Sequence, residues 1–423
     1  MKQLRLTFFS VLLAMASLLS AGTSWAVSGT VTGRAWLFIN QGQSCSTAAP
    51  YNMNCAAARF PVSANNSNQP IRQARVEVAD QAGAIIGVSS TDQNGNFSIS
   101  WTRATTPTSA TVRWVYSHVD NRFRVAPPTN PASVWFSSTW SFSVVAGGTT
   151  AIGDAFWGDT EERQAYDSSF KMWNEALSYS GVAGSVWSGI AILANDSSLS
   201  PGRGTIDSAN KYVKLGPGSA RYPISDVHHE SGHLVHYLAN TSLKWAVMYN
   251  YPTSCTSGGC SGDGHSLDTP EWKASGFPEG LASFIGTVAS YWYWANQPQF
   301  CINSLTPCGS TGWNQEVRPA GACVTDEDRF ELSAQRYLWD VYDSVDDAAY
   351  ADTIGADTST SFSYGALIDE LATFGAGTGN GQINEPWNAA LTSIDAHDGR
   401  SAADLQAKIN ESTTTQRSNN CNP

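Results

Sequence analysis

The sequence predicts a multidomain protein in which an N-terminal all-β sandwich is followed by an α+β, mainly helical domain. Two observations support this. Short apolar-alternating segments separated by turns fill residues 28–145, as in β-sandwiches. After Ala146, Gly147 and Gly148, apolar residues recur at helical spacing. The predicted boundaries are 1–26 for a signal peptide, 27–150 for the sandwich and 155–423 for the second domain.

The first 26 residues have the pattern of an export signal. Lys2 and Arg5 precede an apolar stretch over residues 6–20, and Ser24 and Ala26 fit a small-x-small cleavage site. We therefore expect a secreted protein, with the periplasm as an open alternative. No later segment reaches the roughly 18 apolar residues that a membrane helix needs.

Cysteine content and charge agree with an exported protein. Eight cysteines are typical of an oxidising compartment. Their spacing suggests the pairs Cys45–Cys55, Cys255–Cys260, Cys301–Cys308 and Cys323–Cys421, whereas a cysteine-ligated metal site is disfavoured because no C-x-x-C occurs. A net charge of −12 with 24 basic residues argues against nucleic acid as a partner. The oligomeric state stays open.

Short segments separated by turns predict the sandwich strands, with apolar alternation clear at residues 74–78. These segments are residues 30–39, 74–78, 85–90, 97–101, 111–116, 134–136 and 140–145. Residues 92–96 predict a hairpin turn rather than a calcium loop, because the later glutamate ligand of an EF-hand is missing. Residues 72–99, with their A-x-V-x-V and T-D-x-N-G-x-F patterns, resemble carboxypeptidase-regulatory-like, transthyretin-like modules. That resemblance implies an accessory or spacer domain.

The second part begins with a predicted helix over residues 161–179, followed by strands at 188–194 and 212–215. A further helix follows Pro223 and ends near Leu238. This helix contains the H-E-x-x-H of His229, Glu230 and His233. Because residues four apart lie on one helix face, both imidazoles can bind one metal ion, while Glu230 can reach a water without being a ligand. The pattern predicts a zinc hydrolase site.

A catalytic zinc needs a third protein ligand. The metzincin pattern is excluded, because it requires Gly and His where this chain has His236 and Ala239. The best candidate is Glu279, which follows Pro278 at the predicted start of an apolar-faced helix. Glu271 is the reserve candidate.

Glu279 and the following Gly280 resemble the E-G motif that follows H-E-x-x-H in gluzincin metallopeptidases. Residues 332–342 resemble the L-W-[DE]-x-Y helix of fungalysin-like secreted peptidases. These resemblances imply a zincin-like metallopeptidase domain in which His229, His233 and Glu279 bind one Zn²⁺ and Glu230 is general base and then proton donor. One departure is Ser283, where many gluzincins place a carboxylate that orients a zinc-bound histidine. Either Ser283 or Asp340 takes that role, and we favour Asp340.

The remaining site predictions are less specific. Hydrolysis also needs an oxyanion donor. The candidates are Tyr337, Tyr342, His265 and Tyr364. The sequence does not choose among them, and we predict Tyr337 as the catalytic one. His228 and His236 are expected to be packed, structural histidines. The acidic run is Asp340, Asp343, Asp346, Asp347 and Asp352. It leaves open a Ca²⁺ site, although a solvated acidic face is favoured.

These patterns predict a secreted zinc-dependent endopeptidase acting on proteins or peptides. The alternative is an exported binding or adhesion protein with a structural or vestigial zinc site. Intact Glu230 argues for catalysis, because a purely structural site does not need it. A third possibility keeps the chemistry but moves it to other amide or glycopeptide substrates.

Overall fold

The computed structural model describes residues 26–38, 68–157, 160–176, 188–218, 225–239, 273–291, 299–300 and 313–314, together with Gln335 and Leu338. The strands are β1 (Val27–Phe38), β2 (Asn68–Pro70), β3 (Ala74–Asp80), β4 (Ile85–Ser90), β5 (Asn96–Arg103), β6 (Ser109–His118), β7 (Phe123–Ala126), β8 (Trp140–Ser143), β9 (Thr149–Trp157), β10 (Ile190–Leu193), β11 (Gly204–Asp207), β12 (Tyr212–Leu215), β13 (Gln299–Phe300) and β14 (Trp313–Asn314). The helices are α1 (Glu161–Phe170), which continues as a π-helical segment over Lys171–Ala176, α2 (Ser225–Ala239) and α3 (Lys273–Tyr291).

The N-terminal strands form two facing sheets. In the smaller sheet, β1 pairs antiparallel with β2 and β5 and parallel with β9. In β5, Phe97, Ile99 and Trp101 are buried and alternate with exposed residues, as a half-buried strand requires. A Cβ atom on Gly87 of β4 would lie 2.6 Å from Ile99 of β5, so the two sheets are in direct contact there.

The larger sheet runs in the order β11-β12-β10-β7-β6-β3-β4, with β8 paired to β6. Strand β10 is parallel to both β7 and β12, and all four of its residues are buried. Full burial of a short apolar strand is typical of a central parallel position. The edge strand β11 is antiparallel to β12.

The predicted mainly helical second domain is wrong. Strand makes up 42% of the described residues and helix 23%, with three α-helices among them. The reason is that β10 and β12 extend the sheet begun by the N-terminal strands, whereas hydrophobic periodicity identifies an element without showing which sheet it joins. The predicted division near residues 150–155 falls within β9, which returns to pair with β1.

Several element predictions are confirmed and others need correction. The strands at Ile85–Ser90 and Tyr212–Leu215 have the predicted bounds. The 92–96 turn exists, with Asp92 Oδ1 accepting from the Asn94 and Asn96 amides. It is not a hairpin, because β4 pairs with β3 whereas β5 pairs with β1. Strands β2, β7, β9, β11, β13 and β14 were not predicted, and the predicted strand at 134–136 is only an isolated bridge between Phe136 and Val115.

Candidate metal centre

Helix α2 carries the two predicted metal-binding histidines. Its buried Val227, Leu234 and Val235 belong to the main hydrophobic core and anchor the helix. His229 and His233 lie one turn apart, and their ring centroids are 4.7 Å apart with the planes at 85°. The apolar periodicity of the helix therefore directs both imidazoles toward the same space.

Helix α3 crosses α2 at small residues. A Cβ atom on Gly232 would lie 2.6 Å from the Ala282 carbonyl oxygen, and one on Gly286 would lie 3.1 Å from the His229 amide nitrogen. The separation at Gly232 is possible only because this residue lacks a side chain, and the separation at Gly286 is tighter than most Cβ contacts. The predicted start of this helix at Pro278 is wrong, because α3 begins at Lys273 and contains Pro278.

Glu279 of α3 reaches both histidines. Its Oε2 atom lies 3.1 Å from His229 Nε2 and 2.9 Å from His233 Nε2. The three potential ligand atoms lie within 4.8 Å of one another. The prediction that His229, His233 and Glu279 come within metal-binding distance is therefore confirmed.

The donor set fits a tetrahedral divalent cation. Zinc bonds of about 2.1 Å place neighbouring tetrahedral ligands roughly 3.4 Å apart. The two separations from Glu279 Oε2, 3.1 and 2.9 Å, are slightly shorter than this. Relative to each histidine, the Glu279 carboxylate would therefore need to move by only a few tenths of an ångström to admit such an ion.

Electrostatics keep Glu279 ionised. Burial raises the pKa of this carboxyl, but the charge of His233 and hydrogen bonds from His229 and His233 outweigh the burial. The pKa is consequently held well below its usual range. An ionised carboxylate is the form that binds a metal.

Ser283 holds the first histidine. Its Oγ atom lies 3.0 Å from His229 Nδ1, which leaves Nε2 directed at Glu279. One turn further on, Thr287 Oγ1 donates to the Ser283 carbonyl and accepts from Gln335 Nε2. Of the two predicted partners for a zinc-binding histidine, Ser283 therefore makes the contact. Asp340 lies outside the described residues.

The other two histidines of α2 lie away from this group. His228 is fully buried, and its Nε2 is 3.0 Å from the Ser168 carbonyl oxygen of α1. His236 is also fully buried, and burial together with the charge of His233 lowers its pKa to about 3. Neither belongs to the cluster of potential metal ligands found among the described residues.

Glu230 projects toward strand β11. A Cβ atom on Gly204 would overlap Glu230 Cγ and lie 2.7 Å from Glu230 Oε1, so this carboxylate packs directly over the Gly204 backbone. Glu230 is partly exposed, whereas Glu279 is buried. The two carboxylates therefore occupy different environments. Gly204 was not singled out from the sequence, because a glycine at the start of a short strand has no distinguishing pattern.

Several predicted residues lie outside the described part of the chain. They are the oxyanion candidates Tyr337, Tyr342, His265 and Tyr364, the reserve ligand Glu271, the acidic run with its Ca²⁺ alternative, and all eight cysteines. Within the described residues, no helix is both long and apolar enough to cross a membrane.

Comparisons with known proteins give no family assignment. No protein-family model and no curated protein matches the sequence. Among solved structures, a 9R-lipoxygenase from Cyanothece is similar at a TM-score of 0.16 and 16% identity, over 36% of this chain and 23% of that protein. The major plantain pollen allergen is similar at a TM-score of 0.17 and 12% identity, over 31% of this chain and 94% of the allergen. Likenesses of this size carry no argument about fold or function.

Proposed function

We propose that this protein is an exported, zinc-dependent endopeptidase. The observation that carries the proposal is the convergence of His229 Nε2, His233 Nε2 and Glu279 Oε2. Two imidazoles and one carboxylate form a recurrent ligand set for catalytic zinc, which keeps a fourth position open. When bound, the ion supplies Lewis acidity and lowers the pKa of water.

Glu230 is the proposed general base. It follows His229 directly on α2 but stays outside the ligand cluster, and its partial exposure gives it access to solvent. Glu230 takes one proton from the attacking water as the new C–O bond forms, and it delivers that proton to the amide nitrogen as the C–N bond breaks. Peptide plus water thus gives one carboxylic acid and one amine. Tyr337 remains the predicted oxyanion donor.

The edge strand β11 supports a peptide as the substrate. Glu230 packs on Gly204, the first residue of β11. Strand β11 pairs with β12, and no other described strand covers its outer edge. An exposed edge offers backbone N–H and C=O groups to an extended chain. A peptide bound in this way would run beside the carboxylate that we assign as the base.

The test is Glu230→Gln, assayed with casein and a fluorogenic peptide library, with and without a chelator. We expect turnover to fall about 100- to 10,000-fold, while zinc still binds because the three ligands are untouched. Glu162→Gln on α1, another partly exposed glutamate, is the matched control and should leave turnover unchanged. Undiminished cleavage by the Glu230 variant would show the mechanism to be wrong.

One observation favours the alternative of an exported binding protein with a structural or vestigial zinc site. The contact to His229 comes from the neutral Ser283 rather than from a carboxylate. The spectrum of the cobalt-substituted protein separates the two functions. A structural site would show four protein ligands, whereas a catalytic site would show three and an exchangeable water.

A further inference from the structure

We propose that Gly204 is a positioning residue that sets the location of the Glu230 carboxylate. This inference rests on the proposed function, because it assigns Glu230 as the base whose location matters. It concerns a residue on a different element from the H-E-x-x-H helix.

Gly204 is needed for space rather than for backbone conformation. A Cβ atom at this position would overlap Glu230 Cγ and would lie 2.7 and 2.8 Å from Glu230 Oε1 and Cδ. The φ angle of Gly204 is outside the left-handed range that favours glycine. A side chain at 204 would therefore be tolerated by the strand but not by the glutamate above it.

The strand cannot move away from such a side chain. Gly204 pairs with Leu215 of β12. Gly216, which follows Leu215, donates its amide to the Arg203 carbonyl at 2.7 Å. Gly216 itself has no room for a Cβ atom, which would collide with the Ser200 carbonyl oxygen. Two residues along β11, Ile206 packs against the main core. The backbone of β11 is therefore held on both sides of the contact.

Glu230 is the partner that would yield. Helix α2 is anchored by Val227, Leu234 and Val235 in the core and by its close crossing with Ala282 of α3. A methyl group on residue 204 would therefore rotate the glutamate side chain without shifting the helix. The three metal ligands His229, His233 and Glu279 would keep their positions. The Glu230 carboxylate would move away from its position.

The experiment compares Gly204→Ala with Gly148→Ala. Gly148 lies outside the metal centre and outside β11, and a methyl group there would meet only the Val145 side chain. We expect kcat of the Gly204 variant to fall on the order of 100-fold, the loss associated with misplacing a catalytic group by about 1 Å. Its zinc affinity and KM should change little, and the Gly148 variant should match the parent in all three. Full kcat in the Gly204 variant would overturn the proposal.

A second measurement does not depend on activity. In a double-mutant cycle of thermal unfolding, Gly204→Ala should change Tm less favourably in the parent protein than in the Glu230→Ala background, where the clashing atoms are gone. An equal change of Tm in both backgrounds would overturn the proposal. Failure of the proposed function is distinguishable, because it would appear as undiminished cleavage by Glu230→Gln whatever the outcome of the Tm cycle.

Discussion

Among the described histidines, His118 shows how burial can dominate the pKa of an imidazole. Its Nε2 donates to Gln73 Oε1 at 2.9 Å, and its Nδ1 accepts from the Asp120 amide at 3.1 Å. Burial and the charge of Arg122 lower its pKa to about 4, although Asp120 and Asn174 act in the opposite direction. The ring lies against Phe123 and Phe170. His118 is not part of the H-E-x-x-H pattern.

Stability should consequently fall as pH decreases from about 6.5 to about 4. In this window the unfolded chain protonates His118 while the folded protein does not. At about 1.4 kcal/mol per pKa unit, the loss from this residue is of order 3 kcal/mol. Denaturant titrations at pH 7 and pH 4.5 measure the effect. His118→Gln, which cannot titrate, should lose distinctly less stability over the same interval, and an identical loss would contradict this assignment.

Between elements, the α2–α3 crossing decides whether a third ligand exists. Glu279 reaches the histidines because Gly232 and Gly286 let the two helix backbones approach at Ala282 and His229. The H-E-x-x-H pattern determines the first two ligands through helix periodicity alone. The third ligand depends on a contact between helices about 50 residues apart in sequence, for which the sequence offered two candidates.

Gly232→Ala tests that crossing. The added methyl would lie 2.6 Å from the Ala282 carbonyl oxygen and 2.9 Å from its Cα atom, so the helices must separate. We expect the free energy of unfolding to fall by about 1–3 kcal/mol and zinc affinity to fall with it. Gly148→Ala, where the new methyl meets only the Val145 side chain, is the control. Unchanged zinc affinity in the Gly232 variant, measured by competition with a chelator, would contradict the role of this crossing.

At the scale of the whole molecule, the N-terminal strands and the metal-binding helices share one hydrophobic core. Strand β7 pairs in parallel with β10, which joins the predicted sandwich to the strands beside α2. Phe123 of β7 is fully buried, and its ring lies 5.1 Å from that of Tyr166 on α1. The core cluster contains residues from both regions, including Val31 of β1 and Ile285 of α3. We therefore expect a single cooperative unfolding transition.

Phe123→Ala should destabilise the whole unit. Removing a fully buried phenylalanine costs about 3–5 kcal/mol, and zinc binding should be lost in the same transition. Phe136→Ala is the control, because Phe136 is 53% exposed and its loss should cost little. Calorimetry with and without zinc measures both effects. Two separate transitions, with the zinc-dependent one unaffected by the Phe123 variant, would contradict a shared core.

The sequence alone determined the features that depend on residues close together in the chain. Strand-forming residues between turns at Ile85–Ser90 and helical spacing around His229 and His233 identified elements and a pair of imidazoles, because turn chemistry and helix periodicity are local properties of the chain. Tertiary structure decided which candidate carboxylate meets the histidines and that β10 and β12 extend the N-terminal sheet. It also placed Gly204 under Glu230. These contacts join distant segments through packing, and a hydrophobic pattern identifies a buried face without identifying its partner.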